Sequence, residues 1–190
     1  MIPEARACGL RAEEAAGKSR PICVLFVDEA RYGRISDTRR CWAPPGVRPI
    51  VPAQVIREYV YAYVAVCPFT GHVDALILPC VDADAMSIFL EEIAIEHAEE
   101  RVVVIMDRAG WHRANSLRIP ENITITWLPS YSPELNPVEH IWEHIREKWF
   151  PNRIFNSLEE VVDQLEKALK WLMASPDYVR SMTCFAWMLK

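Results

Sequence analysis

Several things are missing from this chain, and each absence excludes something. No apolar run approaches the roughly 18 residues that a membrane helix needs. The first twenty residues, MIPEARACGLRAEEAAGKSR, carry acids and have no apolar centre, so they do not read as a secretory signal. The six cysteines, Cys8, Cys23, Cys41, Cys67, Cys80 and Cys184, include no CxxC pair. Cys23 and Cys67 fall inside apolar runs, which reads as reduced thiols of a cytoplasmic protein rather than a disulfide frame or a zinc site. There is no internal repeat and no low-complexity segment. A basic excess is missing too. The net charge of −5 counts against a stand-alone nucleic-acid binder. It leaves room for a nuclease core, whose acids hold cations.

What is present is an ordinary globular composition, with 51% apolar and 25% charged residues in 190 positions, enough for one domain with a real core. ICVLFV (22–27) is a continuous apolar run that ends at Asp28 and suits a strand buried on both faces. Residues 41–52, rich in proline, can form only turns and strand edges. YVYAYVAV (59–66), the turn PFTG and HVDALIL (72–78) make a hairpin. Residues 84–98 repeat apolar positions at helical spacing. VVVIM (102–106) is a second apolar run, again ending in aspartate, and TITWL (124–128) is a short strand. Asn136-Pro137 opens a helix to about Phe150, with Val138, Ile141, Trp142, Ile145 and Trp149 on one face. Ser157 and Glu160 form a capping box for a last helix. Meandering strands followed by alternating strands and helices predict a mixed sheet with helices on its faces.

Two strands ending in Asp28 and Asp107 put two carboxylates at the carboxyl end of a sheet, where α/β ligand sites lie. Carboxylates that close repel, and a hard divalent cation such as Mg²⁺ or Mn²⁺ removes the conflict. Strand-end acids also serve as helix caps, so the pair alone is a weak signal. The segment LPSYSPELNPVEHIW (128–142) says more. With Asn136 capping and Pro137 at the first helical position, Glu139 falls in the first turn. There it either closes a capping box onto the Asn136 amide or projects into a site. Between residues 28 and 57, six arginines against three acids leave a local charge of +3, a candidate phosphate-facing patch on an acidic chain. A solvated hairpin with scattered ion pairs accounts for it equally well. His140 and His144 stand i, i+4 on the helix of Glu139 but in no HExxH frame, so a zinc pair is not expected. Trp142, Trp149 and Trp171 read as core. Glu29 should point away from Asp28 across the strand and is not counted as a ligand.

Asp28, Asp107 and the block YSPELNPVE (131–139) resemble the DDE transposases of the mariner superfamily, especially the bacterial insertion-sequence branch. DEARYGRISDTRRCWAPPGVRP (28–49) and DRAGWH (107–112) resemble the same family's blocks. The likeness runs in order from about residue 22 to 173. It implies an α/β, ribonuclease-H-like mixed five-stranded sheet with helices on both faces, the first strand beside the fourth. It implies a metal site of Asp28, Asp107 and Glu139 holding Mg²⁺ or Mn²⁺, two ions in all. The implied activity is cleavage and strand transfer of DNA at transposon inverted repeats and target DNA. Arg31, Arg34, Arg39, Arg40 and His112 are the candidate DNA contacts. The expected organisation is a linker or helix remnant (1–20), a catalytic domain (21–175) and a C-terminal tail (176–190).

Three departures stand out. Arg108 occupies a place where many relatives have asparagine, and the interval from Asp107 to Glu139 is short. A helix-turn-helix region is not found in the sequence. A second reading frame joined to a DNA-binding half, or working as a homodimer, is one account of this; a decayed copy that acts only through protein contacts is another. A different Mg²⁺ phosphohydrolase would leave the YSPELNPVE block without a reason.

Overall fold

A computed structural model describes residues 20–40, 42–113, 116–130 and 132–189. The expected remnant at 1–20 therefore falls, but for Arg20, outside the described residues, as do Cys8, Cys41 and Tyr131. Five strands form one sheet in the order β3-β2-β1-β4-β5. They are β1 (Ile22–Ile35), β2 (Val55–Val66), β3 (Val73–Leu78), β4 (Arg101–Met106) and β5 (Ile123–Trp127). β1, β2 and β3 pair antiparallel, whereas β4 lies parallel to β1 and β5 parallel to β4. The mixed sheet, with its first strand beside its fourth, is the one expected.

Strand periodicity sorts the core into two layers. Phe26, Ala30, Tyr32, Val64 and Val66 face one side, covered by helices α2 (Val138–Lys148), α3 (Leu158–Met173) and α4 (Pro176–Thr183). Leu25, Val27, Tyr63 and Ala65 face the other, covered by α1 (Ala83–Glu96), whose Met86, Phe89, Leu90 and Ile93 are buried there. In α3 the buried positions Val161, Leu165, Ala168 and Leu172 follow the expected spacing. Its capping box is half formed. The Ser157 side chain accepts from the Glu160 amide, but the Glu160 carboxylate reaches the amide of Asn156.

Two expectations are corrected. The first strand does not end at Asp28. It continues to Ile35, because β2 supplies an antiparallel partner on that edge, with Asp28 opposite Val64. Residues 176–183 do not belong to a tail. Val179 and Thr183 of α4 are fully buried, so the helical layer extends past the expected boundary.

The start of α4 sits on the hairpin turn. Gly71 has φ +77°, and a Cβ there would stand 1.9 Å from the Pro176 carbonyl oxygen. Gly71→Ala is expected to destabilise the fold by about 1–3 kcal/mol from backbone strain alone, with the clash adding to it. Urea denaturation measures this. An unchanged midpoint would mean that α4 is not seated on the turn.

Candidate active site

The parallel pairing of β1 with β4 runs from Ile22–Arg101 to Phe26–Ile105 and stops there. Asp28 follows two residues later on β1, and Asp107 follows immediately after β4 ends at Met106. α2 packs on the Phe26 face of the sheet and brings Glu139 in its first turn. All three carboxylates line one open cleft of about 410 Å³, together with Arg108, Ala109, Leu128, Pro129, Ser130, Ser132, Pro133 and Asn136.

The helix start is held tightly. Asn136 is buried; its Oδ1 accepts from the Val138 amide at 3.2 Å and its Nδ2 donates to the Val27 carbonyl at 3.3 Å. Regular helix begins at Val138, one residue later than expected, with Pro137 at φ −65° before it. The Asn136 amide donates to the Pro133 carbonyl at 2.9 Å. The capping box open to Glu139 is therefore not formed, and its exposed side chain is left in the cleft.

Asp28 is held from the same helix. Trp142, one turn beyond Glu139 and 1% exposed, donates its Nε1–H to Asp28 Oδ2 at 2.9 Å. Trp142 was expected to be core, and it is; its polar edge was the part not foreseen. Burial pushes the Asp28 carboxyl up to about 7; the Trp142 donor opposes this, and the nearby Glu29 and Glu139 charges add to it.

Asp107 is held from the other face. Its Oδ1 accepts from the Ala109 amide at 2.9 Å and lies 2.8 Å from His112 Nδ1. His112 sits in a 3-10 turn, Trp111–Arg113, with its ring 1% exposed. Its Nε2 lies 2.8 Å from Glu29 Oε1, whose side chain is 5% exposed. Glu29 points away from Asp28, as expected, and its buried carboxylate meets the buried His112 ring, whose Nδ1 also lies 3.2 Å from the Asp107 backbone carbonyl; the Asp107 side chain at the end of this chain is 57% exposed. Burial alone would lower the His112 pKa, but Glu29 and Asp107 together hold it above its ordinary value. The expectation that His112 touches DNA is corrected, because the ring is enclosed and both nitrogens face acceptors.

The arginines divide. Arg34 donates to the Phe155 carbonyl at 3.0 Å and pairs with Glu58 at 2.8 Å, so it is committed within the fold. Arg39 pairs with Asp37 at 2.9 Å and lies 3.9 Å from Glu147. Arg31 stands 4.4 Å over the Tyr59 ring, and Arg40 is exposed. Among the described residues, the cation that does line the cleft is Arg108. His140 and His144 face α4, through the Met182 carbonyl and the Tyr178 hydroxyl. Trp171 is 38% exposed and stacks on His144, so it is not a core residue.

The donor set suits a hard divalent cation. Three carboxylates face one cleft, and among the described residues no lysine or arginine is ion-paired with any of them. A bound cation would relieve the burden on Asp28.

The family model described as DDE superfamily endonuclease matches residues 23–162. The uncharacterized protein y4pE/y4sA of Sinorhizobium fredii is 38% identical over 130 residues, which is 68% of this chain and 96% of that one. The Mos1 transposase paired-end complex with left transposon end is similar with TM-score 0.57 at 17% identity, over 95% of this chain and 63% of that one. For the Mos1 strand transfer complex the values are 0.59, 17%, 93% and 57%. At such identity the likeness is one of fold, the ribonuclease-H-like fold, and the chain spans about six-tenths of the solved transposase chains it resembles. The family match runs from Cys23 in β1 to Val162 in α3, across every strand and all three carboxylates, and on that ground this chain belongs to the DDE superfamily endonucleases.

Proposed function

We propose that this chain is the catalytic core of a transposase that cuts and joins DNA phosphodiesters at transposon ends. One observation carries the reading: Asp28, Asp107 and Glu139, far apart in sequence, line one open cleft. Mg²⁺ or Mn²⁺ is the metal, and Mos1 mariner paired-end complexes with Mn and with Mg support that choice. When bound at Asp28, Asp107 and Glu139, two ions would supply charge neutralisation and an activated attacking oxygen.

The chain's own residues hold that arrangement. Trp142 occupies one oxygen of Asp28 and leaves the other for the cleft. Asn136 fixes the first turn from which Glu139 projects. Glu29 orients the His112 ring, and the ring orients Asp107. Arg108, on the cleft wall, faces the phosphate charge that grows as the new P–O bond forms and the old one breaks. No protein nucleophile is required, because a water or a DNA 3′-hydroxyl supplies the attacking oxygen. The partners are transposon inverted repeats and target DNA. The working unit is a homodimer or an assembly with a helix-turn-helix half.

Mn²⁺ titration by calorimetry tests the site. Asp107→Ala is expected to abolish binding. His112→Ala is expected to weaken it by about 10–100-fold, as loss of a group that orients a ligand does. If Asp107→Ala binds Mn²⁺ as the parent does, the shared-site reading fails.

A further inference from the structure

At the end of the sheet away from the cleft lies a second group of ligating side chains. His72 precedes β3, Asp74 is its second residue, and His97 is the C-cap of α1. Asp74 stands between the two rings, with Oδ1 3.0 Å from His72 Nε2 and Oδ2 3.1 Å from His97 Nε2. The rings are 5.3 Å apart at 89° to each other. One donor atom from each of the three residues lies within 4.8 Å of the other two. The far nitrogen of His97, Nδ1, lies 2.5 Å from Glu100 Oε2.

We propose that His72, Asp74 and His97 form a zinc-binding site, separate from the carboxylate cleft, that ties the end of α1 to the β2–β3 hairpin. The donors fit the ion. Two imidazoles and a carboxylate suit Zn²⁺ better than Mg²⁺, which prefers oxygen ligands. Zinc–nitrogen bonds of about 2.0–2.1 Å require ring nitrogens about 3.3 Å apart; the donor atoms now lie within 4.8 Å of one another, so binding draws them together. Glu100 supplies the outer carboxylate that a ligating histidine ordinarily has. It takes the Nδ1–H of His97 and so leaves Nε2 as the ligand. Zn²⁺ takes the place of any proton held between these ring nitrogens and Asp74, so binding competes with protonation and strengthens as pH rises. The His97 ring is 8% exposed and Asp74 14%, so two ligands are held by packing. His72, at 42%, faces solvent and leaves an entry path and a position for water.

A second trio, Cys23, His97 and Glu100, also lies within 4.8 Å. It would draw on the side of His97 that Glu100 already occupies, and it is an outcome of the test. The full chain carrying Asp28→Asn and Asp107→Asn, which removes the cleft's own affinity for metal, is titrated with Zn²⁺ by calorimetry. Co²⁺ absorption reports ligand type and geometry. One equivalent is expected to bind with a tetrahedral Co²⁺ spectrum free of thiolate charge transfer, and to raise Tm. His72→Ala, at a solvent-facing position, is expected to keep the metal-free Tm and weaken binding by about 10–100-fold or more. Asp74→Asn should weaken it comparably, and Cys23→Ser should not. Absence of saturable binding, or binding indifferent to both His72→Ala and Asp74→Asn, overturns the proposal. So does loss of binding in Cys23→Ser.

Discussion

Glu139→Gln is expected to leave the fold intact and to reduce metal-dependent strand cleavage on the order of 10²–10³-fold. Glutamine keeps the shape of the side chain and removes its charge. A helix-capping role would tolerate that change, since glutamine also serves in a capping box. The capping role is not in play, because the Asn136 amide is bound to the Pro133 carbonyl and Asn136 Oδ1 already takes the Val138 amide. Thermal stability should therefore stay near the parent's. Glu143, one turn further along α2 and exposed, is the control, and Glu143→Gln should retain substantial activity. The assay is nicking or strand transfer on a pre-cut transposon end with Mn²⁺, using the chain fused to a helix-turn-helix half. If Glu143→Gln is dead while Glu139→Gln cleaves, the third carboxylate has been assigned one helical turn too early.

Asp28→Asn is expected to make the metal-free protein more stable while removing its activity. Burial, with Glu29 and Glu139 adding and Trp142 opposing, holds the folded Asp28 pKa at about 7, against an ordinary value of 3.8. Between those two values the folded protein keeps a proton that the unfolded chain has released. The group's favourable contribution is complete below about pH 4 and is lost as pH rises through about 7. Asparagine has no charge to bury, and its side-chain oxygen can still accept from Trp142. At pH 8 with a chelator, Asp28→Asn should exceed the parent by on the order of 1–3 kcal/mol in urea denaturation. At pH 4 the advantage should vanish. Adding Mn²⁺ at pH 8 should stabilise the parent and not the variant. A variant less stable than the parent at pH 8 would show that Asp28 is not strained by its surroundings.

The frame of the site was legible because it depends on short-range rules. Apolar runs ending in Asp28 and Asp107 announce strands, and that places both acids at the carboxyl end of a sheet. Asn136-Pro137 announces a helix start, which fixes where Glu139 emerges. What was not legible depends on contacts between distant segments. Nothing local says that His112 turns inward to a glutamate 83 positions away, and an exposed phosphate contact was the natural reading of DRAGWH. The arginine-rich stretch looked like one patch. Arg34 is instead spent on Glu58 and Phe155, and Arg39 reaches Glu147, all partners that only folding brings close. Trp142 carried a readable signal in its place one turn after Glu139, but an apolar-face tryptophan gives no hint of where its N–H points. The final helix was missed, although Ser175-Pro176 carries a helix-start signal, since proline is favoured at the first helical position.

β1 carries two adjacent acids that serve opposite sides of the sheet, Asp28 toward the cleft and Glu29 toward His112. Along this strand, insertions and deletions should therefore be tolerated far less than substitutions. Losing one residue before Asp28 would bring Glu29 into the place of the aspartate, and gaining one would bring Val27 there and leave no acid. Either change would also turn Leu25 and Val27 toward α2 and Phe26 toward α1. Length variation among relatives should fall outside residues 22–30 and collect in the segment between Ile35 and Val55, which no strand pairing constrains.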